Sequence, residues 1–358
     1  AGEENALLSP YSIAAALTMT FVGARGNTAT EMADVLNIVD AARVHAIRNE
    51  LDLQITSVEE SGIPGDEREP FEIRVANSLW GQRGFPFVDE FLTALAENYD
   101  AGMNLVDFVA AAEDARVAIN TWVEEQTAGR IVDLIPTGAL DSLTRLVLVN
   151  AIWFKASWDE QFDPELTADG SFSILDGSTV TVPFMHGGGG FLPYATGDGY
   201  QAVRIPYAGD AAMRVIIPDD GSFESVVRRL GSDLLTEIAG NSSVRDIDLV
   251  MPKFEVRSDF SLAETLVGLG MVDAFGDADF TGIEVSGELF IQDVVHQAFI
   301  AVDETGTEAA AATAVIMGLT AAAEPPLIVT VDRPFLFIIE HGSTGEILFL
   351  GQVTNPAA

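Results

Sequence analysis

The 358-residue chain contains no cysteine, so disulfide bridges and thiolate metal sites are excluded and the redox compartment stays open. Basic residues are scarce: 18 Lys and Arg stand against 55 Asp and Glu, and only Lys155 and Lys253 are lysines. The formal charge of −37 repels nucleic acid and anionic membranes, which makes both poor partners. No apolar run approaches the roughly 18 residues that would span a bilayer. The opening residues, Ala1-Gly2-Glu3-Glu4-Asn5, lack the basic start and apolar stretch of a secretory signal, so either a mature chain is in view or the protein is not exported by that route. The acids are spread along the chain instead of forming a tail. Such a surface suits a halophile, where dissolved salt screens the self-repulsion of the compact state.

Common catalytic signatures are missing as well. There is no G-x-x-x-x-G-K-[ST], no H-E-x-x-H and no G-x-S-x-G; in Gly342-Ser343-Thr344-Gly345 the serine stands one place early, and the run reads as a turn. His45, His186, His296 and His341 are too scattered to suggest a metal site. Gly187 to Gly190 precedes neither a helix nor a lysine and reads as a flexible loop. Asp277-Ala278-Asp279 near Glu284 lacks the oxygen spacing of an EF-hand. No metal, cofactor or catalytic residue is expected.

What is present is enough apolar material, 48% of residues, to fill a sizeable core. Ser9-Pro10 marks a helix start before the Ala-rich stretch to Gly23. Thr28 to Leu36 reads as a second helix, with Thr28 and Glu31 at capping-box spacing. Ser61 to Glu69 reads as a surface loop. Further helices are expected over Val88 to Tyr99, Ala111 to Thr127, Phe223 to Ala239 and Leu262 to Gly270. Strands are expected over Phe71 to Trp80, Leu143 to Phe154, Asp246 to Val256, Glu288 to Val302, Leu327 to Thr330 and Phe335 to Val353. Short strands alternate with glycine turns from Thr179 to Pro218. Helices and strands mix without regular βαβ alternation, which indicates an α+β fold, and no Pro/Ser-rich linker divides the chain.

One segment stands apart. Asp303 to Pro326 joins two convincing strands with roughly twenty residues free of turn signals, long for a loop in a compact domain. Ala309 to Ala312 suits a helix, yet Thr307, Thr313, Val315 and Ile316 suit a strand, and a segment able to adopt two structures is a candidate switch. Taken with period two, one face carries Thr307, Ala309, Ala311, Thr313, Val315, Met317 and Leu319. That face is uncharged and begins small, so it can be buried in a sheet without stranding a charge. An Ala-rich surface helix or linker is the plain alternative.

Gly306-Thr-Glu-Ala-Ala-Ala-Ala-Thr313 closely resembles the reactive-loop hinge of inhibitory serpins. Asn5-Ala-Leu-Leu-Ser-Pro-Tyr-Ser-Ile13, Gly23-Ala-Arg-Gly-Asn-Thr-Ala-Thr-Glu-Met32, Ala76-Asn-Ser-Leu-Trp80, Ile119-Asn-Thr-Trp122 and Val149-Asn-Ala-Ile-Trp-Phe-Lys155 are similar to serpin segments in family order. Met251-Pro-Lys-Phe254, Ala278-Asp-Phe-Thr-Gly-Ile283 and Asp332-Arg-Pro-Phe-Leu-Phe337 continue the series. The resemblance runs over essentially the whole chain. It departs at the start, where only eight residues precede Ser9, too few for the helix that serpins carry before that segment, so that helix is expected to be either trimmed away or truly absent.

The resemblance implies a single serpin domain over 1–358, with three β-sheets, surrounding helices and a reactive loop over about 304–326. It implies a suicide inhibitor and not an enzyme: a target serine protease forms an acyl-enzyme with the loop, which then inserts into the central sheet as a new strand. The hinge is then Glu304, Gly306, Thr307, Glu308, Ala309, Ala310, Ala311, Ala312 and Thr313. The shutter beneath the sheet is Ser9, Ser12, Asn150 and His296. Trp158 sits in the breach at the top, where Lys253 pairs with Glu304. Family spacing from Gly306 puts the reactive bond at Thr320–Ala321; counting back from Pro334 reaches Ala322 and Ala323, and Leu319 is a further candidate. All are small or apolar, which favours elastase-, subtilisin- or chymotrypsin-like targets over trypsin-like ones. The family further implies a monomer, outside the cell or in its envelope. A serpin-fold protein that binds or stores without inhibiting is the alternative.

Overall fold

A computed structural model describes residues 4–56, 72–99, 103–307 and 325–358. In chain order the elements are β1 (Ala6–Leu8), α1 (Pro10–Phe21), α2 (Gly26–Val35), α3 (Val44–Thr56), β2 (Glu72–Gln82), α4 (Asp89–Tyr99), β3 (Met103–Val106), α5 (Phe108–Gln126), β4 (Leu146–Ser157), β5 (Asp163–Ser173), β6 (Thr179–Gly197), β7 (Tyr200–Pro206) and β8 (Ala211–Pro218). There follow α6 (Phe223–Arg229), α7 (Ser232–Asn241), β9 (Ser243–Pro252), β10 (Phe254–Ser261), α8 (Ala263–Leu269), a 3₁₀ turn (Asp273–Phe275), β11 (Val295–Val302), β12 (Gly306–Thr307), β13 (Leu327–Thr330), β14 (Phe335–His341) and β15 (Ile347–Val353).

The central sheet has the order β10-β11-β12-β4-β2-β3. β4 is buried along nearly its whole length, as its unbroken apolar run requires. Below β12, β4 and β11 pair directly and in parallel, Val295 to Ala298 against Val149 to Ile152. One face of the sheet lies on α1; Ala76, Trp80, Val149 and Ala151 on the other face pack with Phe108, Ala115, Ile119 and Val123 of α5. The strands expected to form two further sheets are hydrogen-bonded along β6 into one ladder, β1-β15-β14-β8-β7-β6-β9-β13, with β5 also on β6.

Several expectations change on inspection. The glycine run is not a flexible loop but part of β6, where the register with β9 shifts between Met185 and Gly188. Glycine is required there: a Cβ on Gly189 would lie 2.1 Å from the Ile247 carbonyl oxygen, at φ +135°. The Thr28/Glu31 capping box does not form, because α2 starts at Gly26. Instead Thr28 Oγ1 accepts from the Asp279 N–H at 2.9 Å, and Glu31 accepts from the N–H groups of Val272 and Asp273 at 2.7 Å each, capping the 3₁₀ turn across the fold. Residues 223–239 divide into α6 and α7 at Gly231. The strand expected from Glu288 begins at Val295. Helix α3, with a weak polar–apolar pattern, was not expected. Ser61 to Glu69 lies outside the described residues.

Candidate functional site: a parted sheet and its hinge

Beneath the seam between β4 and β11 lies a buried polar network. Ser9 caps α1, its Oγ accepting from the Ser12 N–H at 3.1 Å, and Pro10 supplies the first helical residue. The Ser9 N–H donates to His296 Nε2 at 3.1 Å. An accepting Nε2 leaves the imidazole proton on Nδ1, which donates to Asn150 Oδ1. The Asn150 amide in turn donates to Ser12 Oγ and to Asn77 Oδ1, both at 2.7 Å. Ser12 Oγ donates to the same Asn77 oxygen at 3.1 Å. Ladder register explains the convergence: Asn77 stands opposite Asn150 on β2, and His296 opposite Asn150 on β11. Burial lowers the His296 pKa to about 4, so the ring is neutral at pH 7.

The upper end of the seam is held by the start of the 303–326 segment. The Asp303 carboxylate accepts from Thr305 N, Thr305 Oγ1 and Gly306 N, folding a tight turn. Gly306 follows at φ +155°, where a Cβ would meet the Ala156 carbonyl oxygen at 2.1 Å, so only glycine fits. Thr307 then sits between the strands, paired with Ala156 on β4 and Val302 on β11, and is 0% exposed. Its hydroxyl lies 2.8 Å from that of Tyr207. Trp158 stacks on Tyr207 with ring centres 4.4 Å apart and donates from Nε1 to the Asp303 carbonyl at 2.9 Å.

Glu304 faces the other way and accepts from Lys253 Nζ at 2.8 Å and Thr167 Oγ1 at 2.7 Å. Partial burial pushes the Glu304 carboxyl up, but these donors outweigh it, and the group titrates below the usual carboxylate range. Lys253 itself interrupts the chain between β9 and β10, its N–H donating to the Pro183 carbonyl at 3.0 Å.

A neutral polar cluster beneath a strand seam, with a buried threonine wedged into the seam from a turn, suits a sheet built to open. Comparisons agree. The family model described as Serpin (serine protease inhibitor) matches residues 1–356. The chain belongs to the serpin family. It is 41% identical to an uncharacterized serpin-like protein of Thermococcus kodakarensis, over 98% of this chain and 81% of that one. It is 37% identical to the leukocyte elastase inhibitor of Sus scrofa, over 98% and 93%. The crystal structure of uncleaved ovalbumin superposes with a TM-score of 0.89 at 28% identity, covering 99% of this chain and 94% of that one.

The serpin brings together Ser9, Ser12, Asn150 and His296 as one cluster, and Trp158, Lys253, Glu304, Gly306 and Thr307 as another. Glu308, Ala309, Ala310, Ala311, Ala312 and Thr313, and the reactive-bond candidates Leu319, Thr320, Ala321, Ala322 and Ala323, lie outside the described residues. Sequence reasoning missed Asn77 as a member of the first cluster, although an asparagine inside an apolar strand pattern is itself a signal. It also missed Thr167 and Tyr207, which carry no local signature.

Lys253→Ala removes the ammonium from a carboxylate whose side chain is only 11% exposed. A loss of about 1 kcal/mol at the hinge corresponds to polymerisation about fivefold faster on mild heating. Size-exclusion time courses read this directly; an unchanged rate would show that the pair does not restrain the hinge.

Proposed function

We propose that this serpin inhibits serine proteases once per molecule, offering residues 304–326 as a substrate whose product strand is captured by the central sheet. The observation that carries the reading is the seating of Gly306 and Thr307 between β4 and β11. The loop's own first residues already part the sheet at its top, and below them only the short Val295 to Ala298 pairing closes it. A protease serine attacks the scissile carbonyl; its ester bond forms as the peptide bond breaks, and the new amine leaves. The freed arm continues the β12 ladder downward, drags the attached protease and distorts its active site before water cleaves the ester. Each larger apolar side chain buried contributes about 1.5–3 kcal/mol, so a whole inserted strand is large beside an ordinary folding stability of about 5–15 kcal/mol. The starting state is accordingly held by a kinetic barrier.

Small or apolar residues from Leu319 to Ala323 favour elastase-, subtilisin- or chymotrypsin-like targets. Similarity to a protein named leukocyte elastase inhibitor supports the same class. The reading includes a monomer acting as one domain, 1–358, outside the cell or in its envelope, and a salt-rich setting for its acidic surface.

Mixing the protein in molar salt with subtilisin, chymotrypsin, elastase and trypsin tests this by denaturing gels and mass spectrometry. A band at the summed mass with one of the first three is expected. Clean loop cleavage without that band in every mixture would instead identify a serpin that does not inhibit.

A further inference from the structure

We propose that the outer face of β6, β9 and β13, built around Phe191, Val244 and Ile328, is a docking surface for the body of the target protease. This rests on the inhibitor reading above and adds a second contact, apart from the residues that the protease's cleft receives.

Strand alternation makes the face. On β9, Ile247 and Leu249 point into the core and are buried, so Val244, Asp246 and Asp248 point the other way. The β6 ladder sets Phe191 opposite Asp246 and Gly189 opposite Asp248. The β13 ladder sets Ile328 opposite Asp248 from the other side. Phe191, Val244 and Ile328 are 78%, 63% and 66% exposed. Gly189 carries no side chain, so the Phe191 ring stands beside a gap. Single exposed apolar side chains are ordinary. Three of them on three adjacent strands, set around two aspartates, have the make-up of an interface: apolar anchors in a polar setting.

The chain itself says what reaches this face. β13 starts at Leu327, and Ile328 stands five residues after Ala323 and nine after Leu319, the outer bounds of the reactive-bond candidates. Fully extended, those stretches span at most about 18 and 32 Å. A protease domain of roughly 250 residues has a radius of gyration of about 18 Å, so its body is about 45 Å across. Seated on any of those bonds, it overhangs the strand that leads away from them. Val244 and Phe191 lie one and two strands further in, at about 4.8 Å per strand. A second copy of this chain is the other occupant that such a face admits. Two copies would set the same aspartates, and a charge of −37 each, against one another, whereas basic groups on a protease are drawn to both.

The test compares wild type with the triple variant Phe191→Thr/Val244→Thr/Ile328→Thr, with Phe191→Thr alone, and with the control Val39→Thr, an exposed apolar residue after α2. Threonine keeps the strand preference and removes the apolar surface. Each protein is mixed with subtilisin, chymotrypsin and elastase in molar salt, which screens charge steering and leaves the apolar contact. The readout is the second-order rate of attack on the loop, counted as covalent complex plus cleaved product, so it does not depend on how the attack ends. The protease that wild type meets fastest should attack the triple variant about tenfold or more slowly, with the ratio of complex to cleaved product unchanged. Phe191→Thr alone, which leaves the short β13 intact, should slow attack about threefold, and Val39→Thr should match wild type. Guanidinium midpoints should equal that of wild type, because the three side chains are already mostly in water. Equal attack rates on all four proteins by all three proteases would overturn the docking surface. So would a wild-type dimer in sedimentation that becomes monomeric in the triple variant at unchanged attack rates, which would give the face to a second copy. Cleaved product without any complex from wild type would end the inhibitor reading instead, and the attack rates would still decide the surface.

Discussion

Thr307→Arg should turn the inhibitor into a substrate, with the covalent band falling to a tenth or less and cleaved product taking its place. Thr307 is fully buried between Ala156 and Val302, with its hydroxyl on Tyr207 and the Trp158 ring stacked beside it. A guanidinium seated there would be an unpaired buried charge, since the nearby Glu304 carboxylate is already held by Lys253 and Thr167. Such a charge costs several kcal/mol, and about 3 kcal/mol on the insertion step slows it more than a hundredfold. The uncleaved protein avoids this cost by swinging its hinge into water, so folding and the first attack on the loop survive. Only capture fails, because hydrolysis of the acyl-enzyme then outruns insertion. Thr307→Val is the milder companion: it leaves the Tyr207 hydroxyl without this partner and should raise the stoichiometry of inhibition only modestly, by an effect of about 1 kcal/mol. Gel densitometry of complex against cleaved product reads both. An arginine variant that traps protease as well as wild type would mean that Thr307 need not be buried for inhibition.

The second large effect is acid destabilisation through His296. Its folded-state pKa of about 4 lies below the ordinary value of 6.5, so the unfolded chain takes up the proton first as pH falls. The corresponding stability is fully present above about pH 6.5 and is lost as pH drops towards 4, amounting to about 2 kcal/mol between pH 7 and pH 5. The partners of the ring are neutral: the Ser9 N–H and the Asn150 amide. Asp52 and Glu346 shift the other way, because burial raises both carboxyls and stabilises the fold as they protonate. A variant separates the two contributions. His296→Gln retains an acceptor for Ser9 and a donor for Asn150 but cannot titrate. The difference in urea midpoint between wild type and this variant should widen in favour of the variant from pH 7 to pH 5. A constant difference would show that His296 does not set the acid limit.

Much of the working parts was legible before any coordinate. Gly306 at a turn, Thr307 at the start of an uncharged small-residue face, the Ser9-Pro10 helix start and the apolar run of β4 are local signals, because chain flexibility, capping and burial act over a few residues. The acidic surface is a matter of composition alone. Where these local rules misled, a distant partner had intervened. Glu31 caps a turn at Val272 and Asp273 instead of its own helix, and Gly188 to Gly190 pair with β9 as strand, the Ile247 carbonyl lying too close to Gly189 for any side chain there.

The amino-acid sequence by itself determined the family and the glycine and threonine that start the 303–326 segment, since each of these is written in consecutive residues. Tertiary structure alone decided the rest: that Asn77, Asn150 and His296 stand abreast on three strands, that Tyr207 meets Thr307, and that the seam is parted at Thr307 and closed below it. Those contacts join residues dozens to hundreds of positions apart. They are set by strand register and packing, which no local pattern of residues encodes.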